Sequence, residues 1–221
     1  MSKINSIEKL NSKIDTELAW RKQDLTGLKF DVDAARLMSI KDKERRIKSG
    51  IVLLYSHWEG AIKNISDYYL EFVSNQGLKY SEIKPNFLTL GLSKQIDSVS
   101  RSKKSTLRNE LITKVLSMDN LIFDISTRNI ISADSNLNSE VFKEITATIG
   151  VPIENFETSF KAIDEKLLQN RNFIAHGENF NRMVGISEIE DYIEIHEIVV
   201  RKIDDFAQMI MACAEDEDYK K

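Results

Sequence analysis

The sequence predicts an all-α fold, an elongated bundle of four to five main helices with an irregular polar insert. Three observations point there. Apolar residues recur at three- and four-residue intervals over long stretches, the period of an amphipathic helix. Only two prolines and eight glycines interrupt 221 residues, so long helices meet few breakers. The 42% apolar content supplies a core, and the 30% charged content suits solvated helix faces.

The first helix is marked by Ile7, Leu10, Ile14, Leu18, Leu25 and Leu28, with Gly27 expected to loosen it. A charged stretch, KDKERRIK at 41–48, then leads into the most hydrophobic helix of the chain. There Ile47, Ile51, Leu54, Trp58, Ile62, Ile65, Tyr69 and Phe72 repeat every three to four residues. Asn75-Gln76-Gly77 supplies its stop.

The insert covers 78–135. Pro85 and Gly91 punctuate NFLTLGL, and SKQIDSVSRSKKSTLRNE reads as an exposed loop or a frayed helix. NLIFDIS fits a short strand and a helix end equally well. Order returns with SNLNSEVFKEITATIG, where Leu137, Val141, Ile145 and Ile149 lie four apart and Gly150 stops the helix. Phe156, Phe160, Ile163, Leu167 and Ile174 mark the next helix. The last begins at Ser187, with Glu190 completing an S-x-x-E capping box. Its stripe runs through Ile189, Ile193, His196, Val200, Ile203, Phe206, Ile210 and Cys213. The tail AEDEDYKK, 214–221, is charged and expected to fray. The chain reads as one domain over 1–221.

Several function classes fall away. A formal net charge of −4 disfavours a general duplex-DNA binder, although a local cleft can be positive on an acidic protein. A single cysteine, Cys213, excludes an intramolecular disulfide and any zinc site built on several thiolates. No apolar run approaches the roughly 20 residues of a spanning helix, and no signal-type segment follows the start, so the expectation is a cytoplasmic chain without a membrane role. Glycine-rich phosphate loops, H-E-x-x-H and G-x-S-x-G are absent, and the carboxylates show no metal-pair spacing. Neither a metal nor a cofactor is expected. His57-Trp58-Glu59 has the His-x-Glu spacing of deaminases, but that chemistry needs a P-C-x-x-C partner. Trp58 reads as core, with His57 and Glu59 as candidates for the edge of a cleft. His196 lies on an apolar stripe and reads as a core histidine with a satisfied ring. Cys213 reads as a small core residue.

The informative stretch is Arg171-Asn172-Phe173-Ile174-Ala175-His176-Gly177. Arg171 falls four residues after Leu167 and three before Ile174, in the middle of an apolar stripe. A guanidinium there is costly unless it is paired with a carboxylate or faces a wet cleft or a partner surface. His176 lies five positions on, about 140° around an ideal helix, so a regular helix would not put both on one face. They converge if the helix ends at Gly177, or across a two-fold axis between chains; spacing leaves both open. The chemistry of such a pair is specific. Histidine titrates near neutrality and can take a proton from a ribose 2′-hydroxyl or give one to a leaving 5′-oxygen. Arginine forks onto phosphate oxygens and stabilises the charge that builds there.

RNFIAHG resembles the R-x(4–6)-H signature of the HEPN superfamily, an all-α group that includes many prokaryotic toxin and antiviral ribonucleases. LLYSHWEGAIKN and SNLNSEVFKEITATIG resemble segments of the MAE-type HEPN-like nuclease family and stand in the expected order, the likeness spanning about 30–180. The resemblance implies a helical bundle that dimerises so that two R-x(4)-H motifs line one cleft. It implies metal-independent cleavage of RNA by Arg171 and His176, with Asn172 in support, and a place in a toxin–antitoxin or phage-defence system with a matching partner protein. Two basic clusters stand out, Lys41 to Lys48 and Arg101 to Arg108. The second, with Arg101, Lys103, Lys104 and Arg108, is the better candidate for an RNA-facing loop, though such clusters are more often plain solvated surface. The rival expectation is a non-catalytic HEPN-like interaction or RNA-binding module, in which Arg171 pairs with an acidic residue of its own chain.

Overall fold

A computed structural model gives the architecture and describes residues 3–125, 131 and 136–221. In chain order the helices are α1 (Ile7–Asp33), α2 (Ile40–Ser74), α3 (Pro85–Ser100), α4 (Ser105–Ser117), α5 (Ser139–Ile149), α6 (Glu157–Ala162), a π-helical segment (Ile163–Gln169), α7 (Asn170–Ala175) and α8 (Ile189–Glu215). Among the described residues the only β-type pairing is two isolated bridges, Lys79 with Ile122 and Ile83 with Lys220. The fold is all-α, as the periodicity predicts. No described helix is long and apolar enough to cross a membrane.

The three long helices α1, α2 and α8 pack pairwise against one another. The rod formed by α6, the π segment and α7 lies against α2 and α8, and α5 packs on α2. An aromatic knot joins these layers. Trp58 of α2 stacks on Phe142 of α5 at 5.7 Å, and Phe142 meets Phe156 at 4.9 Å and Phe206 of α8 at 5.7 Å. Offset and edge-to-face ring pairs add to the stabilisation that their large buried area already supplies.

Several local expectations need correction. Gly27 does not interrupt α1, which runs unbroken through it. KDKERRIK is no lead-in but forms the first turns of α2. The Ser39 hydroxyl caps that end, accepting from the Asp42 N–H at 3.3 Å. SKQIDSVSRSKKSTLRNE is not a loop: it belongs to the α3–α4 hairpin, turning at 101–104. Its helical stripe was hard to read because α4 buries no residue and so needs little apolar surface. NLIFDIS is neither a strand nor a helix end over its described residues: Asn120 and Leu121 turn the chain and Ile122 forms an isolated bridge, with the Phe123 N–H donating to the Leu78 carbonyl at 2.7 Å; Ser126 lies outside the described residues. The α8 capping box sits one position later than expected, between Glu188 and Asp191, and Ser187 instead donates its hydroxyl to Asp191. The tail is docked rather than frayed. Tyr219 is 2% exposed and packs edge-on against Phe72, and the Lys84 N–H donates to the Tyr219 carbonyl at 3.0 Å. One aromatic anchor outweighs six charged residues.

α1 carries a buried ion pair that periodicity did not reveal. Arg21 donates from Nε (2.8 Å) and Nη2 (2.6 Å) to Glu17 Oε1. Asn64 of α2 donates to the same oxygen at 2.7 Å, and Arg21 Nη1 donates to the His57 carbonyl at 3.1 Å. Burial pushes the Glu17 carboxyl up, but the bonds from Asn64 and Arg21 and the Arg21 charge outweigh it and hold the group below its ordinary value. Gly60 makes room, because a Cβ there would stand 2.8 Å from Arg21 Nη2. Removing one member of a buried pair costs about 3–5 kcal/mol, whereas an apolar pair of similar volume is often neutral. Glu17→Ala is therefore expected to lower the urea midpoint sharply, and Glu17→Leu with Arg21→Met to recover most of the loss.

His196 is the core histidine expected, its Nε2 lying 2.9 Å from the Leu25 carbonyl, but its ring is only half satisfied: Nδ1 is buried with no hydrogen-bond partner among the described residues. Burial lowers its pKa, the carbonyl acting in the opposite direction. A histidine held neutral binds protons more weakly folded than unfolded, so its contribution is present above the unfolded value of about 6.5 and fades as pH falls below it. The melting temperature should accordingly drop between pH 7 and pH 5, and drop less in His196→Gln; equal slopes would contradict this.

Candidate functional site

The RNFIAHG motif sits on the short helix α7, and two local features set where its side chains go. The π segment Ile163–Gln169 immediately precedes it. Asn170 lies seven residues after Ile163 and three after Leu167, on their buried side of the rod, and is fully buried, whereas Arg171 is half-buried. Of the settings left open for Arg171 by its spacing, the structure shows the edge of a cleft. Asn170 uses its burial: Nδ2 donates to the Val184 carbonyl at 2.9 Å, and Oδ1 accepts from the Val184 N–H at 2.7 Å. The amide thus pins the 178–187 loop to the rod.

The helix ends where the glycine suggested. Gly177 has φ +75°, its N–H donates to the Ile174 carbonyl and the Glu178 N–H to the Phe173 carbonyl, both at 3.0 Å. These two bonds are a Schellman motif, which requires the left-handed conformation that glycine adopts freely. Lys48 of α2 donates to the Glu178 carbonyl at 2.7 Å and fastens this end to the long helix. His176 is the C-cap residue and is exposed to solvent.

Arg171 reaches the other way along α2. Its guanidinium carbon lies 4.6 Å from the centre of the Tyr55 ring. Nη1 donates to Asn172 Oδ1 at 2.8 Å, and Asn136 Oδ1 stands at 3.5 Å. Arg171 lines an open cleft of about 630 Å³ together with Tyr55, Glu59, Lys63, Asn64 and Asp67. Four of these, Tyr55, Glu59, Lys63 and Asp67, repeat every fourth residue of α2 and form a ladder along one helix face. Lys63 pairs with Glu59 at 3.3 Å. Burial raises the Asp67 carboxyl to about 6, only partly offset by Lys63, and Asp67 Oδ1 is buried without a hydrogen-bond partner.

Of the residues singled out from the sequence, the structure brings Arg171, Asn172 and Glu59 together. His176 stands outside the lining of the Arg171 cleft within one chain. His57 belongs elsewhere: its Nδ1 lies 3.4 Å from Arg21 Nη1 and its ring packs against Trp20 at 5.6 Å, on the α1 side of α2. Burial, then the Arg21 charge, lowers its pKa. The two basic clusters also separate. Lys43, Arg45 and Arg46 pair with Glu188, Asp42 and Asp31. Arg101, Lys103, Lys104 and Arg108 form the exposed tip of the α3–α4 hairpin, with no carboxylate partner among the described residues. Among the described residues no group of three or more His, Cys, Asp or Glu side chains is arranged to hold a metal ion.

Sequence reasoning missed Tyr55 and Asn170. Tyr55 lies inside LLYSHWEGAIKN, and its spacing of four from Glu59 was the available signal. Asn170 lies seven residues after Ile163 and three after Leu167, and that spacing was its signal.

No curated protein and no solved structure matches the chain. A family model does match, over residues 16–209, and it describes a HEPN-type domain, the superfamily that the R-x(4)-H spacing suggested, under a family description other than the MAE-type one. The chain belongs to the RiboL-PSP-HEPN family.

Proposed function

We propose that the chain is an endoribonuclease that cuts RNA by attack of a ribose 2′-hydroxyl on the adjacent phosphate. His176 carries the proton and Arg171 holds the phosphate. The 2′-oxygen forms a bond to phosphorus as the bond to the 5′-oxygen breaks. The 2′-hydroxyl proton leaves to a base and the 5′-oxygen receives one, and a 2′,3′-cyclic phosphate and a 5′-hydroxyl result. The observation that carries the reading is the placement of Arg171. It is half-buried at the edge of an open cleft, held by a ring face and side-chain amides, five residues before an exposed histidine. Membership of a HEPN-type family supports a nuclease or RNA-related role.

Because His176 does not line the Arg171 cleft of its own chain, the reading includes a homodimer in which two copies of the motif face one groove. The hairpin tip with Arg101, Lys103, Lys104 and Arg108 contributes backbone contacts to RNA, and Asn172 supports Arg171. A toxin–antitoxin or phage-defence setting, with a neutralising partner protein, fits such an activity. The same separation of His176 from the cleft favours the second reading, a HEPN-type interaction or RNA-binding module without catalysis.

Purified chain is expected to cleave single-stranded RNA in EDTA. His176→Ala should lower the rate by about 100- to 10,000-fold and Arg171→Ala by about 100-fold or more, with unchanged melting temperatures. Equal rates for wild type and both variants would leave the module reading standing. Mixing the two inactive variants under subunit exchange should restore part of the activity if the groove is shared between chains, and none if each chain acts alone.

A further inference from the structure

We infer that Tyr55 is a positioning residue for Arg171, a rigid bed that aims the guanidinium at phosphate; this rests on the ribonuclease reading of the same site. Tyr55 lies in the middle of α2, is 2% exposed, and faces the rod that carries Arg171. Its hydroxyl oxygen accepts from the Leu137 N–H at 2.7 Å. Burial, and after it Glu59 one turn along the helix, holds the phenol well above its ordinary pKa, so the ring remains protonated and this tie persists at working pH. Glu59 is itself tethered to Lys63 at 3.3 Å. The ring therefore has little freedom to tilt, and the guanidinium resting 4.6 Å from its centre inherits that constraint.

A ring suits this task better than a carboxylate would. It grips the guanidinium through its face and leaves the in-plane N–H donors to be aimed at oxygens. A carboxylate holds arginine through those same donors and cancels the charge that the phosphate needs. Arg171 Nη1 donates to the neutral amide oxygen of Asn172. Tyr55, Asn172 and Asn136 thus bracket the guanidinium from its face and its edge.

The test is a double-mutant cycle with Tyr55→Leu, Tyr55→Phe and Arg171→Ala, read as kcat and KM on a defined single-stranded RNA. Tyr55→Leu should lower kcat by about 100-fold with a smaller change in KM, the size expected for a misaimed group. Tyr55→Phe keeps the ring, loses the tie to Leu137, and should lose less. In the Arg171→Ala background neither change should reduce activity further, because residues acting as one unit are non-additive. Where Tyr55→Leu does not fold, the Tyr55→Phe arm of the cycle decides. Additive effects in an active enzyme overturn the inference and leave the ribonuclease reading intact. If wild type cleaves nothing, the cycle is read as affinity for a 2′-O-methyl oligoribonucleotide. Coupling there sustains the positioning role in a binding module, additivity overturns it, and a chain that neither cleaves nor binds overturns both.

Discussion

The contact on which the site depends is the one between the Arg171 guanidinium and the Tyr55 ring, across the seam of α7 and α2. A permanently charged group at a helix–helix seam has to be satisfied without being neutralised if it is to act on an anion. Burial alone would cost several kcal/mol, and full exposure would leave the side chain free to wander. The chain takes a middle course. Arg171 stands half-buried on α7, Tyr55 supplies a polarizable surface, and Asn172 and Asn136 supply amide oxygens. Asn170, meanwhile, takes the buried place on the rod and ties down the following loop.

Much of this architecture was legible beforehand. The stripes of α1, α2, α5 and α8 follow from periodicity, and the stops at Gly77, Gly150 and Gly177 follow from a residue type that tolerates positive φ. The core status of Trp58, His196 and Cys213 follows from their place on those stripes. Illegible features share one physical cause: each depends on a partner distant in sequence or on a departure from ideal helix geometry. The Glu17–Arg21 pair is tolerable in the core because Asn64, the His57 carbonyl and the gap at Gly60 receive it, all of them distant in sequence. The docked tail looked frayed because Tyr219 finds Phe72 across the chain. The π turn leaves no mark that a 3.6-residue period can detect.

At the candidate site the residues were legible and their grouping was not. Arg171 donates to Asn172 and lines one cleft with Glu59, whereas His57 turns to α1, since positions two apart on one helix point about 200° apart. Charge shows the same division of labour. The chain carries −4 overall, yet the α3–α4 hairpin holds Lys94, Arg101, Lys103, Lys104, Arg108 and Lys114 against Asp97 and Glu110. An acidic body keeps non-specific polyanion binding low, while a local basic arm can still meet a phosphate backbone.

The most direct measurement uses a short RNA with a single 2′-deoxy nucleotide placed on the 5′ side of the bond that the chain cuts. The account predicts that this one atom's removal stops cleavage there, and that the all-ribose control leaves a 2′,3′-cyclic phosphate and a 5′-hydroxyl. Cleavage at the deoxy position, or fragments bearing a 3′-hydroxyl and a 5′-phosphate, would contradict it.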